Sequence, residues 1–222
     1  MTDESPQLSD TVNIDIGKDL MEKRRLDAAK NRELFDSHGV KAFDIMGSIG
    51  SGKTTLIHKL TSKLKDKFRI GIIAGDLTTD IDAQRLEQPG VSVVQINTGR
   101  ECHLDVSMVV NSLARLPFDE LDVLFIENVG NLICPAGFPL GTHQQLVVVS
   151  VTEGPWMVLK HPHIFREADV VAINKIDLAE VMGVAPDRLL HDVARVNPLA
   201  RAFPISCRED KGIDEVCAAL GL

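Results

Sequence analysis

The chain has 222 residues and a formal net charge of −8, with 44% hydrophobic and 25% charged residues, ordinary values for a folded domain that can bury a core. The acidic balance excludes a general nucleic-acid binder, because phosphate contacts need clustered Lys and Arg, and the densest basic group, residues 23–25, reads as a solvated helix face. No apolar run approaches the roughly 20 residues that cross a membrane, and residues 1–10 are polar and acidic rather than signal-like, so a cytoplasmic protein without membrane contact is expected.

Residues 1–17 read as a flexible leader. Residues 18–39 read as an amphipathic helix outside the main sheet, with Leu20, Leu26, Leu34 and Phe35 among dense charges and Gly39 as its left-handed stop. From residue 40 to 222 the pattern becomes one α/β domain. Apolar, β-branched runs at 42–46, 70–74, 91–96, 121–126, 146–151 and 170–173 alternate with helical or loop stretches, which predicts a mostly parallel, doubly wound sheet with helices on both faces. Such sheets carry their chemistry at the carboxyl ends of strands.

The first strand runs into Gly47-Ser48-Ile49-Gly50-Ser51-Gly52-Lys53-Thr54, the pattern G-x-x-x-x-G-K-[ST] in its required strand-to-helix context, followed by a helix to about residue 64. Its glycines let backbone N–H groups turn in around a β-phosphate, Lys53 neutralises β/γ oxygens, and Thr54, with Thr55 beside it, opens a helix whose hydroxyl suits Mg²⁺. This phosphate loop defines the domain as a P-loop NTPase. Asp76 closes the second strand and Glu127 the fourth, positions from which a carboxylate can hold Mg²⁺ directly or through water. Asp80 and Asp82 fall where a nucleotide-sensing switch is expected, and one of them is placed to orient an attacking water; a plain helix cap is the alternative for Asp80.

The third strand leads to Thr98-Gly99-Arg100-Glu101-Cys102-His103, and the fourth to a Gly- and Pro-rich loop that carries Cys134. Two thiolates and an imidazole at one sheet end suit Zn²⁺ or Ni²⁺, and the adjacent Cys-His pair suggests an open site or one pooled between two protomers. Simple burial as small apolar side chains remains the alternative; Cys207 and Cys217 fit it better, and His161 and His163 read as loop residues. The sixth strand ends in Asn174-Lys175-Ile176-Asp177, of the form N-K-x-D. Guanine offers a ring N–H beside an exocyclic amine, which the Asp177 carboxylate accepts together, while Asn174 would contact the base's other edge and the Lys175 stem would pack along the ring. Ser206-Cys207-Arg208 resembles the short loop whose backbone supports the guanine oxygen. The expected nucleotide is therefore GTP or GDP.

These motifs together, with Leu104-Asp105 after the Cys-His pair, Asn128-Val129-Gly130-Asn131-Leu132 after Glu127, and Cys134-Pro135, resemble the HypB family of hydrogenase-maturation GTPases from about residue 18 to the C-terminus. The resemblance implies a Mg²⁺-dependent GTPase that dimerises on GTP or metal binding and works with the small zinc protein HypA. It also implies delivery of Ni²⁺ to the large-subunit precursor of [NiFe]-hydrogenase, with Cys102, His103 and Cys134 as interface metal ligands for Ni²⁺ or Zn²⁺. Two departures stand out. Residues 1–17 contain neither Cys nor His, where some relatives carry a nickel-binding tract, and Leu104-Asp105-Val106-Ser107 holds no further histidine. A urease-accessory GTPase is the alternative in the same class, disfavoured because Ala136 follows Cys134-Pro135 where Cys-Pro-His is characteristic. A metal-independent GTPase chaperone and a nickel buffer with a vestigial nucleotide site are the others.

Overall fold

A computed structural model describes residues 16–76, 81–99 and 101–222. Helix α1 (Ile16–Ser37) leads into strand β1 (Lys41–Gly47), and Gly39, at φ +68°, makes the turn between them. Helix α2 (Lys53–Leu64), β2 (Ile70–Asp76), α3 (Ile81–Leu86), β3 (Val91–Asn97), α4 (Val106–Leu113) and β4 (Val123–Glu127) follow. The rest comprises β5 (Gln144–Ser150), α5 (Met157–Lys160), α6 (Pro162–Arg166), β6 (Val170–Asn174), α7 (Ala179–Met182), α8 (Pro186–Val196), β7 (Arg201–Pro204) and α9 (Ile213–Leu220).

The seven strands form one sheet in the order β3-β2-β4-β1-β5-β6-β7, and every named pairing is parallel. Strands buried on both faces need continuous apolar runs rather than alternation, which is what β1, β4, β5 and β6 supply. The pleat divides the core. Phe43, Ile45, Phe125 and Val148 pack with Leu56, Leu60 and Val216 of α2 and α9. Their neighbours Val147 and Val149 face Val158, Phe165 and Leu189 of α5, α6 and α8, and Ala42, Leu124 and Ile126 face Phe35 of α1 and Val109 of α4. Because the order reverses direction about β1, a crevice opens beyond the carboxyl ends of the central strands.

Three expectations change. The α1 stripe holds only in its second half: Phe35 is fully buried, whereas Leu20 and Leu26 are 47% and 58% exposed. That first half borders an open cavity, which Leu20 lines together with Val106, Phe138 and Pro139. The basic group at 23–25 is not merely solvated, because the Arg24 guanidinium lies 3.7 Å from the Phe138 ring centroid and donates to the Gly137 carbonyl. His163 stands in α6 rather than in a loop. Residues 1–15 of the expected leader lie outside the described residues. Among the described residues no helix is long and apolar enough to cross a membrane.

Candidate functional site

The turn after β1 curls over the start of α2 and leaves a cavity of about 510 Å³ lined by Gly50, Gly52, Lys53, Thr54, Thr55, Asp76, Glu127 and Lys175, among others. Gly52 is at φ +104°, and a Cβ there would sit 2.2 Å from the Asn174 side-chain nitrogen. Only glycine lets the loop close this tightly onto β6. Lys53 Nζ donates to the Gly47 and Ser48 carbonyls at 3.2 and 3.0 Å, so the ammonium already lies within the loop. Buried Ser51 faces Gly47, and a Cβ on Gly47 would approach its hydroxyl to 2.9 Å.

At the inner wall Thr54 Oγ1 donates to Glu127 Oε1 at 2.7 Å, with both residues buried, and Asp76 lines the same cavity. A hydroxyl and two carboxylates form a hard oxygen set that fits Mg²⁺, and a buried carboxylate beside a phosphate loop has little other use for its charge. Asp80 lies outside the described residues, as does the side chain of Asp82. Arg85, which the sequence pattern did not single out, lines this cavity and donates to Thr55 Oγ1 at 3.2 Å.

A second cavity of about 260 Å³ adjoins the first through Gly52, Thr55 and Lys175, and is lined also by Asn174, Asp177, Leu178, Cys207 and Arg208. Buried Ser206 donates to Asp177 Oδ1 at 2.6 Å, which fixes the carboxylate at the rim. Asn174, expected at the base edge, lines this cavity and also makes bonds within the protein. Its amide donates to the Ser51 carbonyl at 2.9 Å, and its Oδ1 accepts from the Lys175 and Cys207 backbone N–H groups. Asn174 thus fastens the phosphate loop to the base loop. Lys175, at φ +61°, stretches back so that Nζ donates to the Gly50 carbonyl at 2.6 Å, roofing both cavities. Cys207 contributes its backbone; burial pushes its thiol up to about 11, and Cys217 shares the same core.

The sulfur loops emerge at the same rim, after β3 and β4. The Cys102 thiol is held above its ordinary range first by hydrogen bonding with Cys134 and then by burial, so the two thiols are neighbours; both are partly exposed. His103 Nδ1 lies 3.8 Å from Cys102 Sγ. The imidazole ring is mostly buried against Phe138, centroids 3.4 Å apart, and burial pushes its pKa down, which keeps it neutral as a metal ligand must be. Among the described residues no group of three His, Cys, Asp or Glu side chains is gathered to hold an ion within this one chain. The two thiols meet; the imidazole turns toward Phe138.

Residues 41–204 match the CobW/HypB/UreG nucleotide-binding domain. A curated relative from Methanocaldococcus jannaschii, named a probable hydrogenase maturation factor HypB, is 51% identical over 203 residues, 91% of this chain and 92% of that protein. The chain belongs to the HypB family. A HypB crystal structure from Archaeoglobus fulgidus is 41% identical, with a TM-score of 0.84 over 90% of this chain and 98% of the other. HypB from Helicobacter pylori, solved in complex with nickel, is 38% identical, with a TM-score of 0.83 over 89% and 93% of the two chains. The P-loop NTPase fold expected for HypB is thus the fold observed, and the family's domain is a nucleotide-binding one.

Proposed function

We propose that this chain is a GTP-hydrolysing nickel carrier for [NiFe]-hydrogenase maturation, in which the nucleotide state controls a Cys/His site shared across a homodimer. One observation carries the reading: a single segment begins at Glu127, bonded to the phosphate-loop Thr54, and reaches Cys134, whose thiol meets that of Cys102. Lys53 and the inward N–H groups of residues 47–54 bind the phosphates, and Asp177, oriented by Ser206, selects guanine. Thr54, Asp76 and Glu127 would hold Mg²⁺, which would supply charge neutralisation on the phosphates. Asp80 or Asp82, on the segment after β2, would orient the attacking water. Loss of the γ-phosphate relaxes the segment from Glu127 onward, parts Cys134 from Cys102, and loosens the cargo ion.

Two thiols and an imidazole leave a tetrahedral ion one ligand short, and a facing protomer supplies it. Nickel rather than zinc as cargo is supported by the nickel complex of the Helicobacter pylori relative. The HypA-like zinc protein and the hydrogenase large-subunit precursor are the partners this role requires. The test is Ni²⁺ titration of the wild type and a Cys102→Ala/Cys134→Ala variant, followed by nickel transfer to the large-subunit precursor with GTP or GDP. We expect the variant to bind at least about tenfold more weakly and to lose GTP-dependent transfer. Unchanged affinity and transfer in the variant overturn the reading.

A further inference from the structure

We infer that Asn128 is the positioning residue through which the nucleotide site sets the placement of the Cys102-His103 loop. The inference rests on the coupling proposed above and names the group that transmits it. Asn128 is fully buried, directly after Glu127 at the end of β4, and its backbone N–H donates to the Ile45 carbonyl at 3.0 Å. Its Oδ1 accepts from the backbone N–H of Leu104 at 3.0 Å and of Val129 at 3.0 Å. Its amide nitrogen donates to the two Asp44 oxygens at 3.2 and 3.5 Å. Only a primary amide serves all of these partners, because two N–H groups call for an acceptor on one side and a carboxyl oxygen calls for a donor on the other.

Leu104 follows His103 directly and is fully buried. A Cβ on Gly75 would stand 2.9 Å from its side chain and 3.0 Å from the Glu127 carbonyl, so Leu104 is wedged between the ends of β2 and β4. The Cys134 side is latched from the same segment, because Asn131 Oδ1 accepts from the N–H groups of Ile133 and Cys134 at 2.8 and 3.4 Å. Gly130 between them lies against the phosphate loop, where a Cβ would come within 2.5 Å of the Ile49 side chain. A displacement of Glu127 therefore carries Asn128 with it. The buried bond to Leu104 passes the movement to Cys102 and His103, because leaving that N–H unpaired in a dry site costs more than moving the loop.

The test uses the metal-free full chain and reads the rate at which N-ethylmaleimide modifies Cys102, resolved by mass spectrometry, with Mg-GDP and with a non-hydrolysable Mg-GTP analogue. We expect the wild-type rates to differ at least about fivefold between the two nucleotides. In Asn128→Ala the ratio falls to about one, while GDP affinity stays within about threefold. Asn128→Leu behaves the same, since it keeps the volume but offers Leu104 no acceptor, whereas Asp44→Asn combined with Asn128→Asp restores an acceptor toward Leu104 and a donor–acceptor pair beneath it, and with them most of the ratio. If Asn128→Ala does not fold, the single and paired exchanges decide. A wild-type ratio retained in either single variant, or no rescue in the pair, overturns the role of Asn128. A wild-type ratio of one instead overturns the proposed coupling itself, and because no nickel is added, a failure of nickel binding cannot be mistaken for either.

Discussion

Around β1 and β6 the rim of the sheet is closed and tightly bonded: Lys53, Asn174 and Ser206 are buried, and each is tied to its neighbours by bonds within the protein. Around β3 and β4 the same rim is open, with the Cys102 and Cys134 thiols partly exposed and His103 turned onto Phe138. A ligand that is turned over in place is met by a preorganised cradle, which lowers the cost of ordering the loops on binding. In the role proposed above, a cargo that must leave is met by soft groups on two separate loops, whose relative placement the first region would alter. The segment from Glu127 to Cys134 joins the two regions, and in the proposed mechanism it is the link between them.

The largest break of this contrast is Lys53→Ala. It removes the ammonium that bonds the Gly47 and Ser48 carbonyls of the phosphate loop, and hydrolysis measured by phosphate release should fall about 10³-fold, while Ni²⁺ affinity without nucleotide stays within about threefold. Next, Asp177→Asn should cost the preference for guanine about 10²-fold in competition binding and favour a xanthine nucleotide, whose oxygen stands where guanine carries its amine.

A third prediction concerns Asp44, whose burial raises its carboxyl to about 7 against an Asn128 bond that lowers it. Between pH 3.8 and about 7 the folded chain keeps a proton that the unfolded chain has lost, so this group's contribution to stability declines as pH rises through that window and is flat above it. Asp44→Asn has no such slope. At 1.36 kcal/mol per pH unit the ceiling of its advantage at pH 8 is about 4 kcal/mol, and we expect about half, since the amide offers Asn128 fewer acceptor sites. Denaturation at pH 5 and pH 8 checks it: the variant should gain on the wild type at the higher pH. The smallest effect is expected for Arg24→Ala, which frees Phe138 and the Gly137 carbonyl and should weaken Ni²⁺ binding about threefold by loosening the Cys134 loop, as read by chelator competition.

The sheet and the nucleotide cradle were legible in the chain because their signals are local. A doubly buried parallel strand must be an apolar run, and a phosphate loop must be glycine-rich between strand and helix, so strands β1 to β6 fell within a few residues of their expected places. What escaped depends on pairs far apart in the chain. Asn174 turned out to brace Ser51, and Arg24 to brace Gly137, because bonds across more than 100 residues leave no periodicity to read. The buried pair of Asp44 and Asn128, 84 residues apart, likewise has no local signal in the chain. The first half of α1 misled for the opposite reason: apolar residues at helical spacing imply a packed face, yet Leu20 and Leu26 extend beyond the surface that packs Phe35.

The most direct test of the central claim is the Ni²⁺ affinity of the wild-type chain, measured by chelator competition with Mg-GDP and again with a non-hydrolysable Mg-GTP analogue. The account predicts at least about tenfold tighter binding in the GTP-like state, lost when Cys102 and Cys134 are both replaced by alanine. Equal affinities in the two nucleotide states would contradict it.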